Sequence, residues 1–255
     1  MHRTVRRALG ALAIVGSLGV QAAVGQPTTV TPSQAVESRA LDLLKAMNTK
    51  LAAAQSFSFR ARSTNEGPDK TSPFLAVLGD AEVAVMRPDK LRARIRGASP
   101  PFDLYFDGAR MTAYQPTLNV YATTEASKAV AVLIPFALQN AGILLPLADV
   151  LYGDSYAAIM RNITRARYKG VSAVGGNRCH HAAFAGPSAE WETWIDARTS
   201  LPCRVTGTLL EMKGAPRFAV DFSDWKLNPQ LSAASFVFAK PAGAAEMDFR
   251  ALMGQ

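Results

Sequence analysis

The sequence predicts an α+β fold, in which a curved antiparallel sheet of about 11 strands carries an N-terminal helix and a central helical insert. Three observations predict it. Apolar residues recur at helical spacing over residues 32–54. Short segments in which apolar and polar residues alternate fill residues 56–124 and 163–221. Between them, residues 127–159 form the most apolar part of the chain after the leader and lack the spacing of strands.

Length and composition indicate one large domain. The chain has 255 residues, of which 49% are hydrophobic and 19% charged, so it can bury a sizeable core. The formal net charge is +8, or about +5 without the three arginines of the leader. Such a mildly basic chain weakly favours anionic surfaces such as lipid head groups. Nucleic acid is not indicated as a partner, because no basic stripe with interleaved aromatic residues occurs.

Residues 1–25 have the organisation of a cleavable signal peptide. Arg3, Arg6 and Arg7 give a positive start, residues 8–20 are apolar, and Ala23-Val24-Gly25 supplies small residues for signal peptidase. We expect cleavage before Gln26, export to a bacterial periplasm, and a single mature domain of residues 26–255 without a membrane span. An uncleaved anchor is the alternative, although the apolar run is short for a spanning helix.

The predicted N-terminal helix covers residues 32–54. Thr31 is expected to be its N-cap, Pro32 its first helical residue, and Gln34 the partner in a capping box. Alternation then predicts strands in up-and-down order at residues 57–62, 80–86, 91–96, 102–106, 110–115 and 119–124. A polar loop is expected at residues 65–72, and turns at Arg87-Pro88 and Asp107-Gly108.

The apolar insert is predicted to be two or three short helices that form a lid at about residues 127–160. Pro135 and Pro146 each end or kink a helix. Gln139 and Asn140 interrupt the apolar run, which argues against a membrane helix. After the lid, strands are predicted at residues 163–168, 177–184, 191–196, 203–210 and 217–221, with a hairpin turn at Gly175-Gly176 and a loose tail after Pro241.

The chain contains two cysteines, Cys179 and Cys203. An exported protein with two cysteines favours a disulfide. If their strands are first and third in a meander, however, the Cα atoms would be about 9–10 Å apart, beyond the usual limit of about 7 Å. The sequence therefore leaves open whether the two cysteines are bridged, because a bridge needs strong twist or a strand crossover at that end.

Several short motifs accompany this order of elements. The early motifs are Arg87-Pro88-Asp89-Lys90-Leu91, Asp107-Gly108, and Tyr114 to Pro116 followed by Asn119-Val120-Tyr121. With the order of elements, they resemble the LolA/LolB-type superfamily of periplasmic lipoprotein carriers. The later motifs are Cys179-His180-His181-Ala182-Ala183-Phe184, Trp191-Glu192-Thr193-Trp194-Ile195-Asp196, Leu201-Pro202 and Phe222-Ser223-Asp224-Trp225. They resemble an uncharacterised family of predicted periplasmic proteins, a domain of unknown function, over roughly residues 35–245.

This resemblance implies an incomplete, half-open antiparallel β-barrel with a helical lid over an apolar concave face. In the carriers that cavity takes acyl chains, and burying apolar area is favourable by about 25 cal/mol per Å². The residues expected to face the lid, as core or as cavity lining, are Phe57, Phe59, Leu91, Ile95, Phe102, Leu104, Phe106, Trp191 and Ile195. Those expected on the lid itself are Val132, Leu133, Phe136, Leu144 and Leu147.

Other clusters favour structural roles over chemistry. Cys179 and His181 share one face of a strand and His180 takes the other, which is too few ligands for a metal site. We find no Gly-x-Ser-x-Gly elbow in the mature chain and no phosphate-binding glycine loop. We therefore expect neither an enzyme nor a cofactor nor a metal.

Five arginines are predicted to form a basic patch on the outer face of the sheet, namely Arg60, Arg62, Arg92, Arg94 and Arg96. They form either a solvated surface or a docking patch for an acidic partner or lipid head groups. The function expected is binding, and carriage, of a lipid, acyl chain or other hydrophobic ligand in the periplasm. The alternative is an envelope protein-interaction module whose core is filled by its own helices.

Overall fold

Twelve β-strands form one sheet in the computed structural model, which describes residues 36–67, 75–97, 101–125 and 160–252, without the side chains of 67 and 75–77. The first six strands are β1 Ser56–Gly67, β2 Leu75–Met86, β3 Lys90–Arg96, β4 Phe102–Phe106, β5 Arg110–Gln115 and β6 Val120–Glu125. The others are β7 Arg165–Val174, β8 Asn177–Ala185, β9 Ala189–Asp196, β10 Pro202–Leu209, β11 Arg217–Leu227 and β12 Ala245–Glu246. The helices are α1 Ser38–Ala52, a 3-10 helix Ala233–Phe236 and α2 Phe249–Leu252.

The sheet is open and consists of two meanders that share a central pair. Its strand order is β12-β6-β5-β4-β3-β2-β1-β11-β10-β9-β8-β7. All neighbours are antiparallel except β12, which runs parallel to β6. The predicted up-and-down order before and after the insert is confirmed, and β1 joins the two meanders by pairing with β11. About 11 strands were expected, and the additional one is the two-residue β12.

The predicted signal peptide, the capping residues of the N-terminal helix and the predicted lid up to residue 159 lie outside the described residues. The described residues all belong to one compact unit, residues 34–255. Within the part of the chain that the structure describes, no helix is long and apolar enough to cross a membrane.

The N-terminal helix is present, but within the described residues it begins at Ser38, not at Pro32 as predicted. Val36 instead forms a parallel bridge with Ala166 of β7. Glu37 is the extended N-cap, and its carboxylate accepts hydrogen bonds from the backbone N–H of Tyr168 (2.8 Å) and from Arg167 Nη1 (2.9 Å). These contacts hold the chain along the edge of β7, so the apolar residue Val36 serves the sheet and not the helix.

The polar loop predicted at residues 65–72 is wrong at its start. Asn65, Glu66 and Gly67 continue β1 and pair with β2. Glu66 is held there because its carboxylate accepts hydrogen bonds from the backbone N–H and the Nε of Arg217 on β11, both at 2.9 Å. A run of polar side chains favours a loop, but here tertiary partners stabilise these residues within a strand.

The loose tail predicted after Pro241 is also wrong. Residues 245–246 pair with β6, and α2 places Phe249 and Leu252 in the hydrophobic core. Upstream, the Phe238 ring lies among three tyrosine rings on β4, β5 and β6, with centroid distances of 5.1–5.6 Å to Tyr105, Tyr114 and Tyr121. The C-terminal segment therefore crosses one face at Phe238, passes the edge at β6 and packs on the other face at α2.

Predicted turns agree with the structure. Asp107 Oδ1 accepts hydrogen bonds from the backbone N–H groups of Ala109 (2.9 Å) and Arg110 (2.8 Å). Gly108, which follows Asp107, has φ +101°. Gly175 and Gly176 both have positive φ, as a tight hairpin between β7 and β8 requires. These local signals were sufficient because each turn is fixed by its own residues.

The two faces of the sheet differ in composition. We call the face that carries Phe57 and Phe59 the inner face and the opposite one the outer face. Inner-face residues of β1 to β6 are almost all apolar and buried, whereas the outer face carries the arginines and their acidic neighbours. Helix α1 packs on the inner face of β7 and β8 through Ala40 and Leu44.

Candidate functional site

The inner face of β1 to β6 is a continuous apolar surface made of cross-strand rows. One row runs through Phe59, Val83, Ala93, Leu104, Ala113 and Ala122, one residue from each strand. The next row contains Phe57, Val85, Leu91, Phe106 and Met111. All of these residues except Phe106 are buried. Phe106 is partly buried and packs against the core that the others form. The alternation in each strand is what puts these residues on one side.

An aromatic cluster lies at the junction of β1 and β11. The Phe59 ring is 4.5 Å from the Trp225 ring and 5.7 Å from the Phe222 ring, and Phe57 is 6.2 Å from Trp225. Trp225 Nε1 donates a hydrogen bond to the carbonyl oxygen of Pro202 at 3.0 Å, which satisfies its polar atom.

Trp225 was not among the predicted lining residues, because regular alternation would place Trp225 and Phe222 on different faces of the sheet. The structure has a bulge there: Asp224, with φ 56°, and Trp225 together lie opposite Phe59. The one-residue shift turns Trp225 to the inner face. The motif Phe222-Ser223-Asp224-Trp225 contained the signal, since aspartate tolerates a positive φ more readily than most residues.

A second apolar cluster holds α1 on β7 and β8. Ala40 and Leu44 of the helix pack against Ala166, Ala182 and Phe184. Trp191 of β9 stacks on Phe184 with ring centroids 4.3 Å apart and is partly buried. Trp191 therefore joins the helix-packing cluster and not the aromatic cluster at β1.

The structure brings the predicted inner-face residues of the sheet to one side, but not into one cluster. Ile195 is buried on the inner face of β9, yet it belongs to neither of the two clusters. The five residues predicted on the lid, Val132, Leu133, Phe136, Leu144 and Leu147, lie outside the described residues. Whether the inner-face residues line a cavity therefore stays a prediction.

Two buried polar side chains lie on the inner face toward one end of β1. Ser63 and Asn65 follow Ala61 on the same face and are both buried. Asn65 Nδ2 donates a weak hydrogen bond to Ser63 Oγ at 3.4 Å, and Asn65 Oδ1 has no hydrogen-bond partner among the described residues. Sequence reasoning missed this pair because it assigned Asn65 to a loop.

Cys179 and Cys203 form a disulfide, with Cα atoms 6.8 Å apart. They lie on β8 and β10, with β9 between them, as the sequence suggested. The distance is shorter than regular strands allow because Cys203 is the extra residue of a bulge, between Pro202 opposite Ile195 and Arg204 opposite Trp194. The bridge engages both sulfurs, so neither is available as a metal ligand.

The five arginines lie on the outer face, but they alternate with acids. Arg60 contacts Glu82, and Arg62 Nη2 is 3.9 Å from Asp80 Oδ2. Arg94 lies between Glu82 and Asp103 in register, and Arg96 Nη1 is 2.7 Å from Asp103 Oδ1.

The remaining arginine of the predicted patch, Arg92, donates a long hydrogen bond of 3.5 Å to the Ser235 carbonyl of the C-terminal segment. The predicted patch is thus a mixed-charge ladder with less net positive charge than its arginines alone suggest. Its role as a docking patch stays a prediction.

The side chains of His180 and His181 are held by contacts with residues of neighbouring strands. His180 Nδ1 is 3.0 Å from Tyr168 Oη, and the Arg39 guanidinium lies 3.7 Å from the centroid of the Tyr168 ring. His181 stacks on Trp194 at 4.1 Å, and its Nε2 is 3.4 Å from a carboxylate oxygen of Glu192. Among the described residues, no group of three or more His, Cys, Asp or Glu side chains could hold a metal.

Four carboxylates are held in their charged form by hydrogen bonds. The backbone N–H of Tyr168 and the Arg167 guanidinium lower the pKa of Glu37, and Arg217 lowers the pKa of Glu66. The backbone N–H of Arg110 lowers the pKa of Asp107 despite partial burial.

The pKa of Asp196 is lowered too: burial raises it, but hydrogen bonds from Thr199 and Arg198 outweigh burial. All four carboxylates fix turns or strand ends, so their charges serve the fold.

Two surface grooves on the outer face have volumes of about 640 and 950 Å³. The first is lined by three arginines and three glutamates, Arg165, Arg167, Arg217, Glu66, Glu190 and Glu192. The second is lined by equal numbers of arginines and aspartates. Each has no net charge to select an anion or a cation, so neither rivals the inner face as a binding site.

Comparison with known proteins gives a family model and a set of similar folds. The model described as "Predicted periplasmic protein (DUF2092)" matches residues 40–250. No protein with curated annotation matches the sequence. Among solved structures, the chain is similar to the lipoprotein LppX of Mycobacterium tuberculosis, with 12% identity, a TM-score of 0.51, and coverage of 77% of this chain and 99% of that one. This likeness shows the fold.

Two further structures are similar over most of this chain. A LolA superfamily protein from Nitrosomonas europaea has 11% identity and a TM-score of 0.38, with coverage of 78% of this chain and 97% of that one. MucB in the MucA/MucB complex from Pseudomonas aeruginosa has 16% identity and a TM-score of 0.41, with coverage of 79% and 61%.

Proposed function

The chain belongs to the family described as predicted periplasmic protein (DUF2092), as its motifs predicted, and on that premise we propose that it binds and carries a hydrophobic ligand in the periplasm. The ligand is a lipid, an acyl chain or another apolar molecule that lies against the inner face of β1 to β6. The leader of residues 1–25 directs export and is removed before Gln26. Amino-terminal sequencing of the exported protein tests that cleavage: an intact Met1 would contradict it.

The observation that carries this proposal is the length and continuity of the apolar inner face. A row from Phe59 to Ala122 crosses six strands without a polar side chain. Small residues such as Ala93, Ala113 and Ala122 leave room above the sheet, while Phe59, Leu104 and their neighbours provide apolar area. Covering such area with an acyl chain is favourable by ~0.8 kcal/mol for each buried CH₂.

We propose that this binding involves no catalysis and no cofactor. The histidines support the proposal, because His180 is engaged with Tyr168, and His181 with Trp194 and Glu192. Both positions are explained by packing and hydrogen bonding between neighbouring strands. An assay against ester and phosphoester substrates would overturn this part of the proposal if turnover were lost with His180→Ala.

A displacement experiment tests binding at the inner face. Phe106 and Tyr105 are adjacent aromatic residues of β4 that point to opposite faces, and both are partly exposed. A fluorescent fatty-acid analogue bound to the mature protein should bind about tenfold more weakly to Phe106→Ala, since burying an aromatic side chain is worth ~1.5 kcal/mol or more.

Tyr105→Ala is the matched control and should bind as the unmodified protein does. Equal losses in the two variants, or no loss in either, would contradict binding at the inner face. Thermal unfolding of each variant separates an effect on binding from an effect on stability.

A second candidate is an envelope protein-interaction module whose core is self-filled. It is favoured by the packing of Phe57 and Phe59 against Phe222 and Trp225, since these rings already cover one another. Such a module should capture a defined envelope protein, and capture should weaken when Arg60, Arg62 and Arg94 are changed to glutamine. Copurification of a lipid with no protein partner would argue against it.

A further inference from the structure

The inner face changes from apolar to polar along β1. Phe57, Phe59 and Ala61 are followed on the same face by Ser63 and Asn65, all of them buried. About 20 Å of strand separates Phe59 from Asn65, from a rise of ~3.4 Å per residue. A ligand along β1 would therefore meet apolar side chains at one end and an amide at the other.

The Asn65 amide oxygen is a buried acceptor without a partner among the described residues. The residue is 4% exposed, and Oδ1 receives no hydrogen bond there. Its Nδ2 reaches only Ser63 Oγ, at 3.4 Å. An unpaired buried acceptor is unfavourable, because it has lost its hydrogen bonds to water. A donor that reaches Oδ1 would remove that penalty.

Two side chains that flank Asn65 lie over glycines of the neighbouring strands. Phe218, its partner on β11, has its ring over Gly207 of β10, where a Cβ would lie 2.8 Å from the ring atoms. Ser63 Oγ lies toward β2, 2.6 Å from where a Cβ of Gly79 would be. The two glycines thus leave space for these flanking side chains, and neither Phe218 nor Ser63 donates a hydrogen bond to Asn65 Oδ1.

We propose that Asn65 binds the polar head of the hydrophobic ligand by accepting a hydrogen bond from a hydroxyl or amide N–H group. The ligand class is thus a neutral acyl lipid that carries a donor, such as a glyceride with a free hydroxyl. Its chain runs toward Phe59 and its head lies at Asn65. This inference rests on the proposed function and adds to it the chemistry of the ligand.

A second buried acceptor provides the control. Gln115 Oε1 on β5 also lies on the inner face and has no partner among the described residues. It is four strands from β1 in the sheet, about 19 Å at the usual strand spacing. One head group cannot reach both, so Gln115→Leu removes the same kind of group from the same face, away from the head-group position at Asn65.

The test compares two ligands of equal chain length, monoolein with two hydroxyl donors and methyl oleate with none. Each displaces a fluorescent fatty-acid analogue from the mature protein. We expect the unmodified protein to bind monoolein about tenfold more tightly than methyl oleate. We expect Asn65→Leu to bind the two lipids equally well. Gln115→Leu should keep it. If Asn65→Leu does not fold by circular dichroism, Asn65→Val makes the same comparison.

The outcomes separate this inference from the function on which it rests. Equal binding of the two lipids by the unmodified protein, or an unchanged preference in Asn65→Leu, would overturn the role of Asn65 and leave the carrier intact. A loss of preference in Gln115→Leu alone would also overturn it. If neither lipid displaces the analogue and the analogue itself does not bind, the proposed function fails as well.

Discussion

The rings of Phe59 and Trp225 lie 4.5 Å apart on the inner face, although Trp225 is only three residues beyond Phe222, which faces the same way. The bulge at Asp224 makes this arrangement, because it inserts one residue opposite Phe59. The contact ties β1 to β11, which is the pairing that joins the two meanders. The stability of the whole sheet should therefore depend on it.

Truncating the aromatic cluster should destabilise the protein strongly. We expect Trp225→Ala to lower the free energy of unfolding by about 3 kcal/mol, since a packed ring and its hydrogen bond to Pro202 are lost. Trp194, which stacks on His181 on the outer face, is the control, and Trp194→Ala should lower it by about 1 kcal/mol. Urea titration measures both, and equal losses would show that the bulge has no special role.

The disulfide should stabilise the fold without being reactive. It closes a loop of 24 residues in sequence separation, so replacing both cysteines with alanine should lower the free energy of unfolding by about 3 kcal/mol. Iodoacetamide should label no thiol in denaturant without reductant and two thiols after reduction. Labelling before reduction would contradict the bridge.

The C-terminal segment should act as part of the core and not as a tail. Phe249 is buried on the inner face, so Phe249→Ala should lower the free energy of unfolding by about 3 kcal/mol and increase binding of a dye specific for apolar surface. Met247 on the same segment is more exposed, and Met247→Ala should change stability by less than about 0.5 kcal/mol. Thermal unfolding compares the two, and a silent Phe249→Ala would restore the picture of a loose tail.

Acid should weaken the fold through the four hydrogen-bonded carboxylates. Their pKa values are lower in the folded than in the unfolded state, so the folded state binds fewer protons. The stability that they contribute is complete above the unfolded-state pKa of about 4. It is lost as the pH falls through the lowered folded values.

Asp107→Asn keeps an acceptor for the N–H groups of Ala109 and Arg110 but cannot titrate. Urea midpoints measured from pH 7 to pH 2 should therefore fall less steeply in this variant than in the unmodified protein. Identical slopes would mean that Asp107 does not contribute to acid sensitivity.

Alternation alone predicted most of the sheet. Strands such as β3, where Leu91, Ala93 and Ile95 face inward and the arginines outward, follow directly from a period of two. The Asp107-Gly108 turn was equally predictable from the sequence, because the aspartate accepts hydrogen bonds from the N–H groups two and three residues ahead. These features depend on residues close together in the sequence.

What the sequence did not show depends on partners far along the chain. Asn65 and Glu66 are strand residues because β2 and Arg217 hold them, and Val36 leaves the helix because β7 pairs with it. The bulges at Cys203 and Asp224 shift the register by one residue, which no periodicity reveals. One bulge permits the disulfide and the other puts Trp225 on the candidate site.

Native mass spectrometry of the mature protein, purified from the periplasm without detergent, tests the central claim most directly. The account predicts a population heavier than the protein by the mass of a lipid, released by organic extraction as a neutral acyl lipid. Phe106→Ala should reduce that population, and Tyr105→Ala should not. A single ligand-free mass, together with no binding of a fluorescent fatty-acid analogue, would contradict a carrier.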